Sequence, residues 1–130
     1  MPEDSDELDE DEPTRVIFSL IVNSDEPIAA LAHFPGRTRA PRPDDDYLYD
    51  IFHADFEDDN WDTRADKLDA AVNDGLDLLD ASGVDPEGLA GPDVLVRAFF
   101  TFDPGAETIQ ASVVKRLAGY NATIWIDANR

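Results

Sequence analysis

The sequence predicts an α+β fold, in which a mostly antiparallel sheet has two to three helices packed on one face. Three features predict it. An apolar, β-branched segment opens the folded part of the chain at residues 15–22. A long amphipathic stretch occupies residues 62–81, and the remainder alternates between strand-like and helix-like segments up to residue 127. Strands and helices in this mixed order are typical of a single layer of helices on one sheet.

The first half of the chain predicts one strand with clear limits. Residues 15–22 are almost continuously apolar, which indicates a central, buried strand. A short helix is predicted over residues 26–33, with Ser24 or Asp25 as its cap. Residues 34–43 contain three Pro and one Gly and predict a loop. Residues 44–60 are ambiguous, although alternation within them is compatible with a strand.

The second half begins with the longest predicted helix. Apolar residues recur at helical spacing over residues 62–81, with acidic residues largely on the other side. Gly83 predicts a left-handed C-terminal cap. Gly75 lies inside the helix, where glycine costs about 1 kcal/mol relative to alanine, so we expect it to permit a close packing contact.

The last third predicts two strands around a short helix. Residues 94–102 form a second apolar strand, and residues 108–110 are expected to begin a return strand after a turn. Residues 112–118 predict a short helix closed by Gly119. Residues 122–127 alternate between polar and apolar side chains, which predicts a final strand.

The length and charge of the chain predict a tail and one domain. A chain of 130 residues fits a single domain. It buries roughly two-thirds of its unfolded surface without a disulfide or metal. Eight of the first 12 residues are acidic, and a block of like charge is typical of disorder. We therefore predict an acidic disordered tail over residues 1–13 and a single α+β domain over residues 14–130.

Composition excludes several classes of protein. The absence of Cys excludes a thiol nucleophile, a zinc–thiolate site and an iron–sulfur cluster. A formal net charge of −20 argues against general nucleic-acid binding, because phosphate contacts need a basic face. The longest apolar run is too short to span a membrane, and the first residues lack the pattern of a signal peptide. We therefore predict a cytoplasmic protein without membrane association.

The acidity has two interpretations that the sequence leaves open. Asp outnumbers Glu 22 to 8 and Arg outnumbers Lys 8 to 2, a bias that a GC-rich genome or a salty cytosol also produces. On this first interpretation the charge is only adaptation, since strong salt screens self-repulsion. On the second, the acidic surface meets a basic partner.

No pattern of catalytic, cofactor or metal-binding residues stands out, so we predict a protein that is not an enzyme and that has no cofactor. There is no nucleophile elbow and no phosphate-binding glycine motif. Asp55, Glu57, Asp59 and Asp66 match calcium-loop spacing, but Asn60 replaces the turn glycine, so no metal site is predicted.

A partner-binding surface is predicted where aromatic residues interleave with carboxylates. Apolar anchors combined with charges that steer docking are what a surface for a basic protein needs. The partner would be a basic toxin or nuclease, which the protein blocks in the manner of an immunity protein. The alternative is that these rings complete the core. The predicted partner-binding residues are Asp44, Asp45, Asp46, Tyr47, Tyr49, Asp55, Asp58, Asp59 and Trp61.

An alternative function rests on three arginines within six residues. Arg37, Arg39 and Arg42 could hold the phosphate of a small phosphorylated ligand bidentately. Their other interpretation is pairing with the neighbouring aspartates, as exposed ion pairs are common and worth about 0–1 kcal/mol. The sequence carries no signal for an oligomeric state.

The end of the chain resembles a bacterial family. A short helix carrying Lys115-Arg116-Leu117-Ala118 precedes a strand that reads Asn121-Ala122-Thr123-Ile124-Trp125-Ile126-Asp127. This is similar to the ending of the family catalogued as domain of unknown function 4279, and the resemblance covers about residues 14–128 in element order. It departs in the middle, where the arginine- and proline-containing loop stands and Trp61 precedes the long helix. The resemblance implies a compact α+β domain and no settled activity.

Overall fold

The computed structural model describes residues 13–34, 36–38, 47–103 and 107–128, and these form an α+β fold. The helices are α1 (Trp61–Ser82) and α2 (Ala111–Gly119), with short 3₁₀ turns at Ala29–Leu31 and Gly88–Ala90. The strands are β1 (Thr14–Ser24), β2 (Gly36–Thr38), β3 (Tyr47–Asp58), β4 (Val94–Asp103) and β5 (Ala122–Ala128). The predicted fold class is confirmed. The predicted tail lies outside the described residues apart from Pro13.

The five strands form one sheet in the order β2-β3-β1-β4-β5. All pairs are antiparallel except β4 with β5, which run parallel. Both helices contribute to one hydrophobic core and contact each other, so they lie on the same face of the sheet. The mostly antiparallel sheet with helices on one face therefore matches the prediction.

Strand β1 is central, as predicted, but it is buried on one face only. Its side chains alternate, so that Val16, Phe18, Leu20 and Val22 are fully buried beneath the helices while the residues between them are partly exposed. We call the face of the sheet opposite to the helices the open face. In β1 it carries Ser19 and the other odd-numbered residues, and in β3 and β4 it carries the residues that pair with them. The near-continuous apolar character of β1 therefore does not mean burial on both sides.

Helix α1 spans the predicted range with one extra residue at each end. Asn60 caps it, because its side-chain oxygen accepts the backbone N–H of Thr63 at 3.0 Å. Gly83 ends it with a φ of 80°, so the left-handed cap is confirmed. A Cβ on Gly75 would lie 3.1 Å from the Cβ of Phe52 and 3.3 Å from a methyl of Leu20, which confirms the close contact.

Two predictions for residues 26–38 are wrong. The helix predicted over residues 26–33 is only the turn Ala29–Leu31. Its start is extended because Ile28 adopts φ −110° and gives its backbone N–H to the Tyr49 hydroxyl at 2.9 Å. Residues 36–38, predicted as loop, form β2 by pairing with β3.

The return strand predicted at residues 108–110 is also absent. The chain instead enters α2 and crosses over the sheet, so that β5 pairs parallel to β4. Gly119 is the last residue of α2, and the left-handed conformation at this end is taken by Asn121, with φ 59°. In the part of the chain that is described, neither helix is long and apolar enough to cross a membrane.

Candidate functional site

The structure places one predicted tyrosine in the core and packs the other against it. Tyr49 is buried and its hydroxyl accepts the Ile28 backbone N–H, so the prediction that it contacts a partner is corrected. Tyr47 is partly buried and packs against the same core. Asp44, Asp45 and Asp46 lie outside the described residues.

The residues predicted between positions 44 and 62 do not form one continuous surface. Tyr47 pairs with Ser24 and Asp58 pairs with Thr14, at opposite ends of β1. A 12-residue strand spans about 36 Å at 3.3 Å for each step. Of the predicted residues that the structure describes, Asp58, Asp59 and Trp61 are close in sequence at the turn between β3 and α1.

Asp55 lies on the open face and is paired. Its two carboxylate oxygens accept from Arg15 Nε at 2.9 Å and Arg15 Nη2 at 2.6 Å. The hydrogen bond to the Arg15 guanidinium lowers the pKa of the Asp55 carboxyl below its ordinary value. Because this charge is already matched within the chain, Asp55 is a weak candidate for attracting a basic partner.

Asp58 shapes the turn into α1. Its carboxylate accepts the Asn60 backbone N–H at 2.8 Å and lies 3.0 Å from Lys67 Nζ. The bond from Asn60 and then the bond from Lys67 lower the pKa of Asp58. Arg64 Nη1 donates to the Asp58 backbone carbonyl at 2.9 Å. Asp58 therefore orders this turn.

The remaining residues of the turn and the first helical turns form what we call the N-terminal acidic patch, defined as Asp59, Trp61, Asp62 and Asp66. The three carboxylates are exposed, and the Trp61 side chain is 56% exposed. The Arg64 guanidinium carbon lies 5.6 Å from the centre of the Trp61 ring and supports it from one side. Asp62 lies in the first turn of α1, where the positive end of the helix dipole favours a carboxylate.

Near its other end, the acidic side of α1 is paired with a cation from α2. Arg116 of α2 donates to Asn73 at 2.7 Å, to Asp77 at 3.1 Å and to Asp80 at 2.8 Å. The Tyr120 hydroxyl also donates to Asp80. The two ends of the same helix therefore differ, because α2 supplies a cation only to the C-terminal one.

A serine–histidine pair on the open face was missed by the sequence analysis. Ser19 Oγ and His53 Nδ1 are 2.9 Å apart, although 34 residues separate them in sequence. Both stand in mid-strand on an exposed face. Nδ1 is the atom that would bond a carboxylate in a catalytic triad, and here it faces the serine, while Arg15 occupies both oxygens of Asp55. Only the strand register, which residue patterns do not specify, brings the pair together.

Of the three arginines of the alternative function, one lies in the described part of the chain. Arg37 lies in β2 opposite Leu48, and Arg39 and Arg42 fall outside the described residues. A cavity of about 260 Å³ lies elsewhere, between the end of α1 and the 3₁₀ turns, with Ile28, Val84 and Leu89 in its wall. This apolar wall lacks the convergent donors that a phosphate needs.

The described residues contain no group of three or more His, Asp or Glu side chains placed to hold a metal ion. In comparisons with models of known families, with curated proteins and with solved structures, nothing matches this chain. The resemblance of its last strand and helix to the family catalogued as domain of unknown function 4279 therefore stays a prediction.

Proposed function

We propose that this protein is not an enzyme and that it binds a basic protein, such as a toxin or nuclease, through the N-terminal acidic patch. The observation that carries the proposal is an exposed indole, Trp61, within five residues of three exposed carboxylates around the start of α1. This patch retains Asp59 and Trp61 from the sequence-based surface and adds Asp62 and Asp66. The predicted residues Tyr47, Tyr49, Asp55 and Asp58 are left out because they pack in or against the core or are already paired.

Charge supports a basic partner. Residues 47–93 contain 14 acidic and two basic side chains, and both basic ones, Arg64 and Lys67, contact groups within the chain. Such an excess attracts a cationic protein over distances up to the Debye length and speeds its docking. The patch would cover the partner's positive cleft and so block it.

The Trp61 indole supplies apolar contact area, which the carboxylates do not provide. Tryptophan is enriched among the residues that dominate binding energy, because it buries a large rigid area when a partner covers it. Trp61 is fixed at the first position of α1, immediately after the Asn60 cap. It therefore needs little ordering on binding, whereas the surrounding carboxylates provide orientation.

The test is capture from a native cell extract by the tagged full-length chain, with bound proteins identified and their association rates then measured. One variant replaces Asp59, Asp62 and Asp66 by Asn. The matched control removes three charges in the C-terminal half of the helix and beyond it, through Asp74→Asn, Asp85→Asn and Glu87→Gln. We expect the first variant to slow association with a captured basic protein more than the control at low salt, and the difference to close as salt rises.

A third variant distinguishes the contribution of the Trp61 indole from that of the three carboxylates. Trp61→Ala should speed dissociation while leaving the salt dependence of association unchanged. Equal slowing by both triple variants would mean that only overall charge matters and would contradict the patch. Capture of no basic protein at low salt would contradict the function.

A further inference from the structure

Strand β5 forms an edge of the sheet and is exposed on both of its faces. In the described residues its one neighbouring strand is β4. Trp125 is 62% exposed on the open face, where its ring centre lies 6.4 Å from that of Phe99. Ile126 is 55% exposed on the helix face, and Ile124 is exposed on that face too. Three consecutive large apolar side chains are therefore in contact with water.

The middle of this edge lacks the devices that usually keep sheet edges apart, and the one charged side chain in β5 is Asp127, near the end of the strand. Proteins protect an edge strand with Pro, with Lys or another charge, or with a bulge. Residues 122–126 contain no Pro and no charged side chain, and β5 pairs with β4 in continuous register. An unprotected, apolar edge of this kind pairs readily with another strand.

The charge of the surrounding structure indicates which strand fits. Residues 94–128, which supply β4, α2 and β5, contain three acidic and three basic side chains and so carry no net charge. The rest of the chain carries the whole formal charge of −20. A basic partner would have nothing to attract it here. For a second copy, by contrast, this neutral edge is where approach meets the least repulsion.

We propose that the protein forms a symmetric dimer in which β5 pairs antiparallel with β5 of a second copy. Centring the pair on Trp125 places it opposite the partner's Trp125 on the open face and Ile124 opposite the partner's Ile126 on the helix face. Asp127 then faces the partner's Thr123, which avoids opposing carboxylates. The two sheets join into one of ten strands, and the unpaired β5 edge of each copy disappears.

This dimer does not depend on the proposed basic partner. The two kinds of binding are distinguished by how their affinities respond to salt concentration. Association of two chains that each carry −20 strengthens as salt screens their repulsion, whereas binding of a basic protein weakens. The mass of the full-length chain is therefore measured by light scattering during gel filtration, over a range of protein and salt concentrations. We expect a dimer that dissociates on dilution and is tighter at higher salt.

Two substitutions locate the interface. Trp125→Lys introduces charge on the edge and should raise the dissociation constant at least about tenfold, as is usual for loss of a central tryptophan. Trp61→Lys is the matched control on the other exposed tryptophan and should leave the dimer constant unchanged. Circular dichroism and thermal melting check that both variants fold.

A covalent test reports the register directly. The chain has no Cys, so Trp125→Cys places a single thiol on the proposed two-fold axis. Cα atoms of directly opposed residues in antiparallel strands lie about 4.5–5.5 Å apart, within the range of about 4.4–6.8 Å that a disulfide spans, so mild oxidation can join the two copies. Trp61→Cys is the control. A chain that is monomeric at all concentrations and salts, a dimer insensitive to Trp125→Lys, or equal cross-linking by both Cys variants would overturn the proposal.

Discussion

Arg64 and Glu107 form an ion pair between α1 and the segment that precedes α2, with Arg64 Nε 2.6 Å from Glu107 Oε1. The side chains are 7% and 0% exposed, respectively. Their positions are 43 residues apart in the chain, so the pair fastens the entry to α2 against the start of α1.

Breaking this buried pair should destabilise the protein strongly. Arg64→Met leaves the Glu107 carboxylate buried without a counter-charge, which typically costs about 3–5 kcal/mol of unfolding free energy. Urea denaturation measures the loss. The control is Arg15→Gln, which breaks the exposed pair with Asp55 and should change the free energy little. The double variant Arg64→Met with Glu107→Met should recover most of the loss. If Arg64→Met and the control Arg15→Gln lower the unfolding free energy by similar amounts, this account is contradicted.

Gly75 should be intolerant of even a methyl group. In Gly75→Ala the new Cβ meets the Cβ of Phe52 at 3.1 Å, and that atom is fixed to the β3 backbone. Overpacking of this kind costs about 1–3 kcal/mol, which offsets or exceeds the gain of about 1 kcal/mol in helix propensity. Asp74→Ala, one residue away and exposed, is the control and should be neutral or stabilising. If Gly75→Ala were more stable than the original protein, the prediction would be contradicted, because β3 would then shift away from the new methyl group at little cost.

Tyr120 should make the fold sensitive to alkali. Burial, and then the hydrogen bond to Asp80, raise the pKa of Tyr120 to about 12. The folded state thus holds its proton more tightly than the unfolded state, where the pKa is about 10. The contribution to stability is complete below pH 10 and is lost as pH rises towards about 12. Thermal melting across this range should show a steeper fall than for Tyr120→Phe, and parallel curves would contradict the assignment.

Arg116 should stabilise the fold mainly at low salt. Arg116→Ala leaves Asp77 and Asp80 as like charges one helical turn apart. Because these carboxylates are half exposed or more, we expect a loss of about 1 kcal/mol or less, shrinking as salt rises. Lys115→Ala removes the same charge one residue away and serves as the control. Melting temperatures at several salt concentrations test the difference, and a loss independent of salt would indicate packing instead.

The parts of the fold that could be predicted are those set by local pattern. Helix α1 and strands β1 and β4 carry strong periodicity over ten residues or more, and neighbouring residues alone indicate their type. The direction of β5 could not be predicted in this way. It depends on α2 crossing the sheet, and residues 108–110 look equally suited to a return strand.

The candidate site was predictable only where residues lie close in sequence. Asp59 and Trp61 belong to one turn, so composition was enough to select them. The burial of Tyr49 involves a hydrogen bond from the backbone of Ile28, 21 residues away. Nothing in the sequence around Tyr49 distinguishes this buried tyrosine from an exposed one. The neutralisation of Asp55 by Arg15 likewise requires the register between β1 and β3.

The sheet order has a consequence for how the chain folds during synthesis. Of the described strands, the first to be made is the central one, and its partners arrive late: Arg15 pairs with Glu57 on one side and with Asp103 on the other. Contacts this distant in sequence are slow to form, and at about 5–20 residues per second the ribosome leaves β1 half-paired for seconds. A chain that stops before β4 exposes the apolar edge of β1 permanently. Truncated products should therefore aggregate, and pairing with the segment after residue 93 is what removes this exposed edge.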